Sequence, residues 1–417
     1  MDSCEIAIIG GGPCGSFAAI SALSLDKSND IIIFEKQRKS GYPPHCSGLI
    51  GIEGLKKLGI YHFAAKKTSY NKIKSVKFFS PEGKSILIKR RKNELLVLDR
   101  PKLDAYLAEQ AQKLGANLLH QHTVKEIQRK NQTWNILFTG GRSKFSSITV
   151  KIGISAEGHH PIISSQVGLP TPSKKWFLPA IQYELDNVMI PEKETVELYF
   201  GNKIAPGFFA WMIPLNDIQA RVGLAIHPNM TKGARTYLNH IVKKHPILSL
   251  QLKKSTIVNS WGGFVPANGP INKSYTDGFL VAGDAAGQTK ATTGGGFNIG
   301  GYCGLIAGKI ASEAIERDNF TGTFLKKYEQ LWRSKFEPEL SLMKFFRRTL
   351  SFLPDKTLDS LFDIARQTDL AHHMQKVDNI DLHGIELFKY ALSPKTIIHG
   401  LKNIPQLVTS MFNGFLV

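Results

Sequence analysis

Two glycine-rich turns, far apart in the chain, constrain the fold more than any other feature. The first is Gly10-Gly-Gly12-Pro13-Cys14-Gly15; the second, more than two hundred residues later, is Gly283-Asp284-Ala-Ala-Gly287, followed by Gly294-Gly295-Gly296. Around the first, the pattern predicts a buried strand over 6–9, a helix over 16–24 and a second strand over 31–34 that ends at Glu35. Gly-x-Gly-x-x-Gly between a strand and a helix, with an acid about 20 positions on, is the pattern of a dinucleotide-binding βαβ unit. Gly10 makes the tight turn, Gly12 admits a pyrophosphate and Gly15 lets helix and strand pack closely. Glu35 is placed to accept from a ribose hydroxyl, and the neighbouring Lys36 is assigned to the same ligand.

The second turn completes such a site. Residues 278–282 predict a short buried strand that Gly283 ends, so the Asp284 carboxylate can meet a ribityl or ribose hydroxyl. Gly294, Gly295 and Gly296 bring backbone close to an anion where a helix over 297–315 begins. A helix N-terminus favours negative charge by roughly 0.3–2 kcal/mol.

The 417 residues suffice for two or three domains. Four cysteines, Cys4, Cys14, Cys46 and Cys303, lie far apart with no pairing pattern, which points to a reducing compartment and no structural metal. The uncharged stretch 6–25 is interrupted by Gly-Gly-Gly-Pro and lacks preceding basic residues, so the βαβ unit explains it better than a signal peptide or a membrane span. Net charge is +19. No nucleic-acid motif accompanies it, and apart from 89–92 the basic residues are scattered. An anionic membrane surface is the favoured partner, beside a plain solvated surface.

Alternation and periodicity divide the chain further. The expected organisation is an α/β nucleotide domain in three parts (1–69, 99–175 and 261–320), interrupted by a strand segment (70–98) and a substrate domain (176–260) that reads as strand-rich. A helical C-terminal region (321–417) follows.

Five segments resemble the geranylgeranyl reductase family, which shares the fold of the aromatic flavin hydroxylases. They are the first glycine turn with Glu35; Gly41-Tyr-Pro-Pro-His-Cys46-Ser47-Gly48; Asp99-Arg100-Pro-Lys-Leu-Asp104; Pro206-Gly-Phe-Phe209-Ala-Trp211-Met-Ile213-Pro214; and the Gly283-Asp284 segment. The glycine turns occur in many flavoproteins, whereas the cysteine turn and the Trp211 segment are more specific. Phe209 departs from the family's usual Tyr, Ile213 from Phe, and Ala291 stands where proline is common. Glu157, before Gly158, stands where Asp-Gly is usual: it either contacts the flavin region or caps a turn.

The resemblance implies FAD as cofactor, held by the residues named above together with Cys46, Arg100, Glu157 and Gly158. It implies an isoprenoid lipid as substrate, with Phe209, Trp211, Pro214, Gly262 and Gly263 at its chain. The reaction it implies is saturation of carbon–carbon double bonds, with Cys46 as catalytic candidate; a cysteine packed beside the ring is the alternative. For Arg100 the alternative is an ion pair with Asp99 or Asp104, and for the Trp211 segment it is ordinary sheet core. The electron donor is left open between reduced ferredoxin and NAD(P)H. Basic and aromatic residues at helical spacing over 342–353, and again over 385–417, point to a cytoplasmic protein held peripherally at a membrane. A flavin monooxygenase or halogenase on the same fold, and a non-catalytic prenyl-lipid carrier, are the rival functions.

Overall fold

The computed structural model describes residues 3–140, 143–379 and 381–402. The chain forms two compact units, each built from three stretches: Met1–Pro44, Arg100–Lys174 and Pro266–Ser341 make the first, and His45–Asp99, Lys175–Val265 and Leu342–Val417 the second.

The first unit is built on an eight-stranded sheet in which Ser3–Ile9 runs parallel to Ile31–Glu35 on one side and to Ser143–Ser155 on the other. Phe279–Val281 joins the far edge of Ser143–Ser155, also parallel, with Gly153 opposite Phe279. The strands carrying the two glycine turns therefore point the same way, one strand apart, and their C-terminal ends come out side by side. Behind them the helix Pro13–Leu25 packs on the helix Phe297–Glu316. Gly304 and Gly308 let these helices approach backbone to backbone: a Cβ at either would lie 2.3 Å from Cys14 O or 2.0 Å from Ala18 O.

The second unit has a seven-stranded sheet, ordered Thr256–Pro266, Phe177–Asp186, Ala220–Ala225, Ala210–Pro214, Thr195–Tyr199, Ser75–Phe79 and Ser85–Lys89. Strand alternation sends Tyr183, Met212, Val222 and Leu224 to one face, where Leu238 and Ile241 of the helix Ala234–Lys244 cover them. Gln182, Glu184, Trp211, Ile213 and Arg221 point to the other. A three-stranded sheet joins Leu49–Gly51, Leu95–Leu98 and Ser69–Ile73.

The breaks differ from the expected ones in three places. Residues 45–69 fall in the second unit, because Leu49–Gly51 pairs with Leu95–Leu98, a long-range pairing that no local period reveals. Residues 261–265 stay with the second unit as the end of the strand Thr256–Pro266. The helical C-terminal region is divided near Ser341 instead of standing apart. The stretch expected to be strand-rich also holds the helix Ala234–Lys244, whose Ala234, Leu238 and Ile241 recur at helical spacing.

Candidate functional site

In the first unit the three glycines of the opening turn have three different surroundings. Gly10 is at φ +112°, and a Cβ there would lie 2.2 Å from Ala156 O. A Cβ at Gly15 would lie 2.0 Å from Gly10 O. At Gly12 a Cβ would meet nothing within 4 Å: its side of the turn is open. The Glu35 carboxylate is buried and accepts from Gly11 N at 2.9 Å and Gln37 N at 2.7 Å, so it holds the turn. Lys36 is exposed. Pro13 occupies the first helical turn behind Gly12, a cap that brings no side-chain hydrogen bond to the first amides.

The helix Phe297–Glu316 begins the same way at Gly296. A Cβ at Gly296 would lie 2.7 Å from Asp284 Oδ1, so only glycine lets the carboxylate sit against this helix start. Lys290 N donates to Gly295 O at 3.1 Å and Gly294 N to Lys290 O at 2.7 Å, which folds the three glycines into a tight turn. Gly283, at φ +70°, lies against the Cys14 side chain. Burial pushes the Asp284 carboxyl up to about 6, with Arg100 pulling the other way. The Cys14 thiol is raised by burial, reinforced by Asp284.

Arg100 makes the ion pair that was its alternative, but not at the surface: Nε and Nη2 meet the two Asp104 carboxylate oxygens at 3.0 and 3.1 Å, and the pair is almost wholly buried. The guanidinium also lies 4.6 Å from the Phe297 ring centroid. Glu157 caps its own turn: its carboxylate accepts from Ser155 Oγ at 2.7 Å, Ile163 N at 2.9 Å and Ser164 N at 3.1 Å. Gly158 follows at φ +73° in open space.

The second unit holds the remaining candidates. Cys46 is half-buried, and its Sγ accepts from Gly48 N at 3.4 Å. His45 reaches the Gly262 carbonyl through Nδ1 at 3.1 Å, and Gly263 backs onto the same histidine, so the strand Thr256–Pro266 carries the cysteine turn along its edge. Arg221, which no motif singled out, fastens that turn. It is buried and pairs with Glu184 at 3.0 Å; its Nη1 donates to Ser47 O at 2.8 Å and Leu98 O at 3.2 Å. The Tyr70 and Trp261 rings flank it at 5.2 and 5.7 Å. In the sequence it is one arginine in a stretch read only as strand-rich, and its burial, unusual for an arginine, emerges only in the fold.

Phe209, Trp211 and Pro214 are all buried. Phe208 and Phe209 stack at 4.1 Å, Phe209 meets Trp211 edge-on, and Trp211 Nε1 donates to Gln182 Oε1 at 2.8 Å. Met212 belongs to the helix-covered core on the opposite face.

One basic residue of the stretch 342–353 faces inward. Arg347 is buried: it lies 4.3 Å from the Phe208 ring and donates to Gly207 O at 3.2 Å, and burial lowers its pKa to about 9. Its helical spacing from Met343 turns it inward, while Phe345 and Phe352 face out. Residues 403–417 of the second basic and aromatic stretch lie outside the described residues. Among the described residues no helix is long and apolar enough to cross a membrane.

Known proteins match both halves of this description. Residues 177–265 match the family model of the geranylgeranyl reductase catalytic domain. The digeranylgeranylglycerophospholipid reductase of Methanocaldococcus jannaschii is 32% identical over 383 residues, covering 91% of this chain and 93% of that protein. A second reductase of that name, from Methanothermobacter thermautotrophicus, is 32% identical over 375 residues, covering 88% and 93%. The crystal structure of a geranylgeranyl bacteriochlorophyll reductase-like protein from Thermoplasma acidophilum superposes with a TM-score of 0.84 at 24% identity, covering 97% of this chain and all of that one. The fold is shared more widely: the flavin-dependent halogenase CmlS superposes at 0.68 with 17% identity, over 95% of this chain and 71% of its own. By its likeness to the archaeal reductases over nine-tenths of its length, the chain belongs to the geranylgeranyl reductase family.

Proposed function

We propose that this protein is an FAD-dependent reductase that saturates carbon–carbon double bonds in the geranylgeranyl chains of a membrane glycerophospholipid. The observation that carries the reading is the combination, in one family member, of the open glycine turn at Gly12 with the Cys46 turn and the Trp211 wall of the catalytic-domain sheet. The cradle fits a dinucleotide: Gly12 leaves room for a pyrophosphate, two helices start at glycine caps, and Asp284 stands at the second of them. When bound, FAD supplies the hydride chemistry.

The chain's own residues do the remaining work. Glu35 and Asp284 orient the cofactor's hydroxyl groups. Arg100, held by Asp104, adds positive charge near its phosphates. An unactivated alkene offers no carbonyl to polarise, so position and exclusion of water carry the catalysis. The Phe208–Phe209–Trp211 wall supplies the apolar surface, and burying a prenyl chain against such a wall is worth ~25 cal/mol per Å². Cys46 is the residue to which we assign orienting or delivering the proton. Electrons come from reduced ferredoxin or NAD(P)H, and the protein works from the cytoplasmic side of an anionic membrane that it binds peripherally.

The direct test is mass spectrometry of a digeranylgeranylglycerophospholipid incubated with purified, FAD-loaded and chemically reduced protein. A gain of two hydrogens per double bond is the expected result. Oxygen-dependent hydroxylation would give the reaction to the monooxygenase class instead, and a colourless protein that only carries lipid would remove it from the enzymes.

A further inference from the structure

On the sheet face that carries Trp211 and Arg221, two buried hydrogen-bond donors are left without an acceptor. Trp211 Nε1 donates to the Gln182 side chain at 2.8 Å. An indole nitrogen is a donor only, so the amide atom facing it must be the oxygen, and this chemistry fixes the Gln182 amide orientation. The Gln182 NH2 is thereby turned away from Trp211. Gln182 is 3% exposed, and its Nε2 is buried with no hydrogen-bond partner. The indole N–H of Trp261 is sealed and unpartnered in the same way. Trp261 shares this face, because the Arg221 guanidinium lies 5.7 Å from its ring centroid.

The backbone is shaped for this arrangement. Gly223 pairs with Gln182 on one side and Trp211 on the other. A Cβ at Gly223 would lie 2.7 Å from Trp211 Cζ2, so the glycine lets the indole lie across the middle strand and reach the glutamine. Folded proteins pair nearly all their buried donors, and a fold that leaves two on one face bears a cost that a ligand acceptor removes.

We infer that Gln182 and Trp261 form an acceptor-reading pair: two buried N–H groups on one sheet face, each of which takes up an oxygen of the bound lipid, an ether or phosphoester oxygen of its glycerol head. This inference rests on the reductase reading above and deepens it by giving the substrate wall a polar reader. Both protein groups donate, so the ligand atom must accept. An ether or phosphoester oxygen does so without bringing a proton of its own, and a bare hydrocarbon offers nothing to bind. The Arg221–Glu184 pair on the same face is charge-balanced, which suits an oxygen that carries little or no charge.

The test compares Gln182→Glu and Trp261→Phe with the wild type. Gln182→Glu keeps an acceptor for Trp211 but removes the donor; Trp261→Phe keeps the ring but removes the N–H. Each is assayed with an ether-linked digeranylgeranylglycerophospholipid and with the corresponding C20 tetraene hydrocarbon, which has no oxygen. The expected result is a KM for the lipid raised about tenfold in each variant, with kcat within about twofold and the hydrocarbon unaffected. An equal loss on both substrates would make the two residues packing elements. An unchanged KM with an altered solvent isotope effect would assign the acceptor to an ordered water, and an unchanged KM with a shifted flavin spectrum would assign it to the cofactor. Any of the three overturns the inference. Wild-type turnover of the lipid separately tests the reductase reading. If it fails, the ratio of equilibrium dissociation constants for lipid and hydrocarbon still tests the donor pair.

Discussion

Arg221 donates to the carbonyl of Ser47 at 2.8 Å, across 174 positions of the chain. The cysteine turn therefore hangs from the middle of the catalytic-domain sheet, beside the wall built by Trp211, and a single guanidinium holds both ends of the segment 47–98 through Ser47 and Leu98.

Lysine cannot reproduce that fork, since an ammonium is a compact point charge without planar donors. Arg221→Lys is expected to keep FAD and fold while lowering the single-turnover rate of double-bond reduction about tenfold or more. Arg221→Met would leave Glu184 without its cation and cost on the order of 3–5 kcal/mol, seen as a lower denaturant midpoint. A lysine variant with the wild-type rate would limit Arg221 to stability.

The surroundings of the glycines separate folding from cofactor binding. Gly12→Val puts its side chain into open space, so the protein should fold normally and lose FAD, read as lost visible absorbance with unchanged thermal unfolding of the apoprotein. Gly15→Val drives a side chain into the Gly10 carbonyl and should fail to fold. Full FAD occupancy in folded Gly12→Val would show that the pyrophosphate does not approach there.

Asp284 links stability to pH. Its folded pKa of about 6 lies above the ordinary 3.8, so the folded state holds the proton more tightly than the unfolded chain. That stabilisation is complete below about pH 4 and is lost as pH rises through about 6. About two pH units at about 1.4 kcal/mol each set an upper bound of roughly 3 kcal/mol. Asp284→Asn should stabilise the apoprotein by up to that amount at pH 7 and by little at pH 4, while weakening FAD binding. Equal effects at both pH values in chemical denaturation would contradict the assignment.

Cys46→Ala removes a sulfur that accepts only a long 3.4 Å hydrogen bond from the Gly48 amide within the turn, so fold and FAD should be retained. Most of the single-turnover reduction rate should disappear with pre-reduced enzyme, which isolates the chemical step from electron delivery. An undiminished rate reduces Cys46 to a packing residue.

Net charge and exposed apolar side chains predict two responses to salt. The Debye length falls from ~10 Å at 0.1 M to ~3 Å at 1 M, so attraction to anionic vesicles should weaken without vanishing. Residual binding is expected to come from outward residues such as Phe345 and Phe352, and their replacement by serine should remove it in vesicle flotation. Turnover driven by an acidic ferredoxin should fall more steeply with salt than turnover driven by dithionite; parallel curves would exclude an acidic carrier.

The nucleotide-binding half was legible in the sequence because its requirements are local. A strand, a turn that only glycine can make at Gly10, a close approach at Gly15 and an acid at Glu35 follow one another within a single βαβ unit, and the same holds for Gly283, Asp284 and the helix after them. The family-specific turns at Cys46 and Trp211 were legible as short motifs for the same reason. What joins distant segments was not. The cap that Glu157 makes for Ser155, Ile163 and Ser164 forms only once the chain after its strand folds back on it. The arginine at 347 belonged equally to a membrane face until helix packing turned it onto Phe208. Arg221 and Gln182 sit in ordinary alternating strands, and their roles arise only when sheet register sets them beside Ser47 and Trp211. Sequence period determines which face a side chain takes; tertiary pairing alone decides what it meets there.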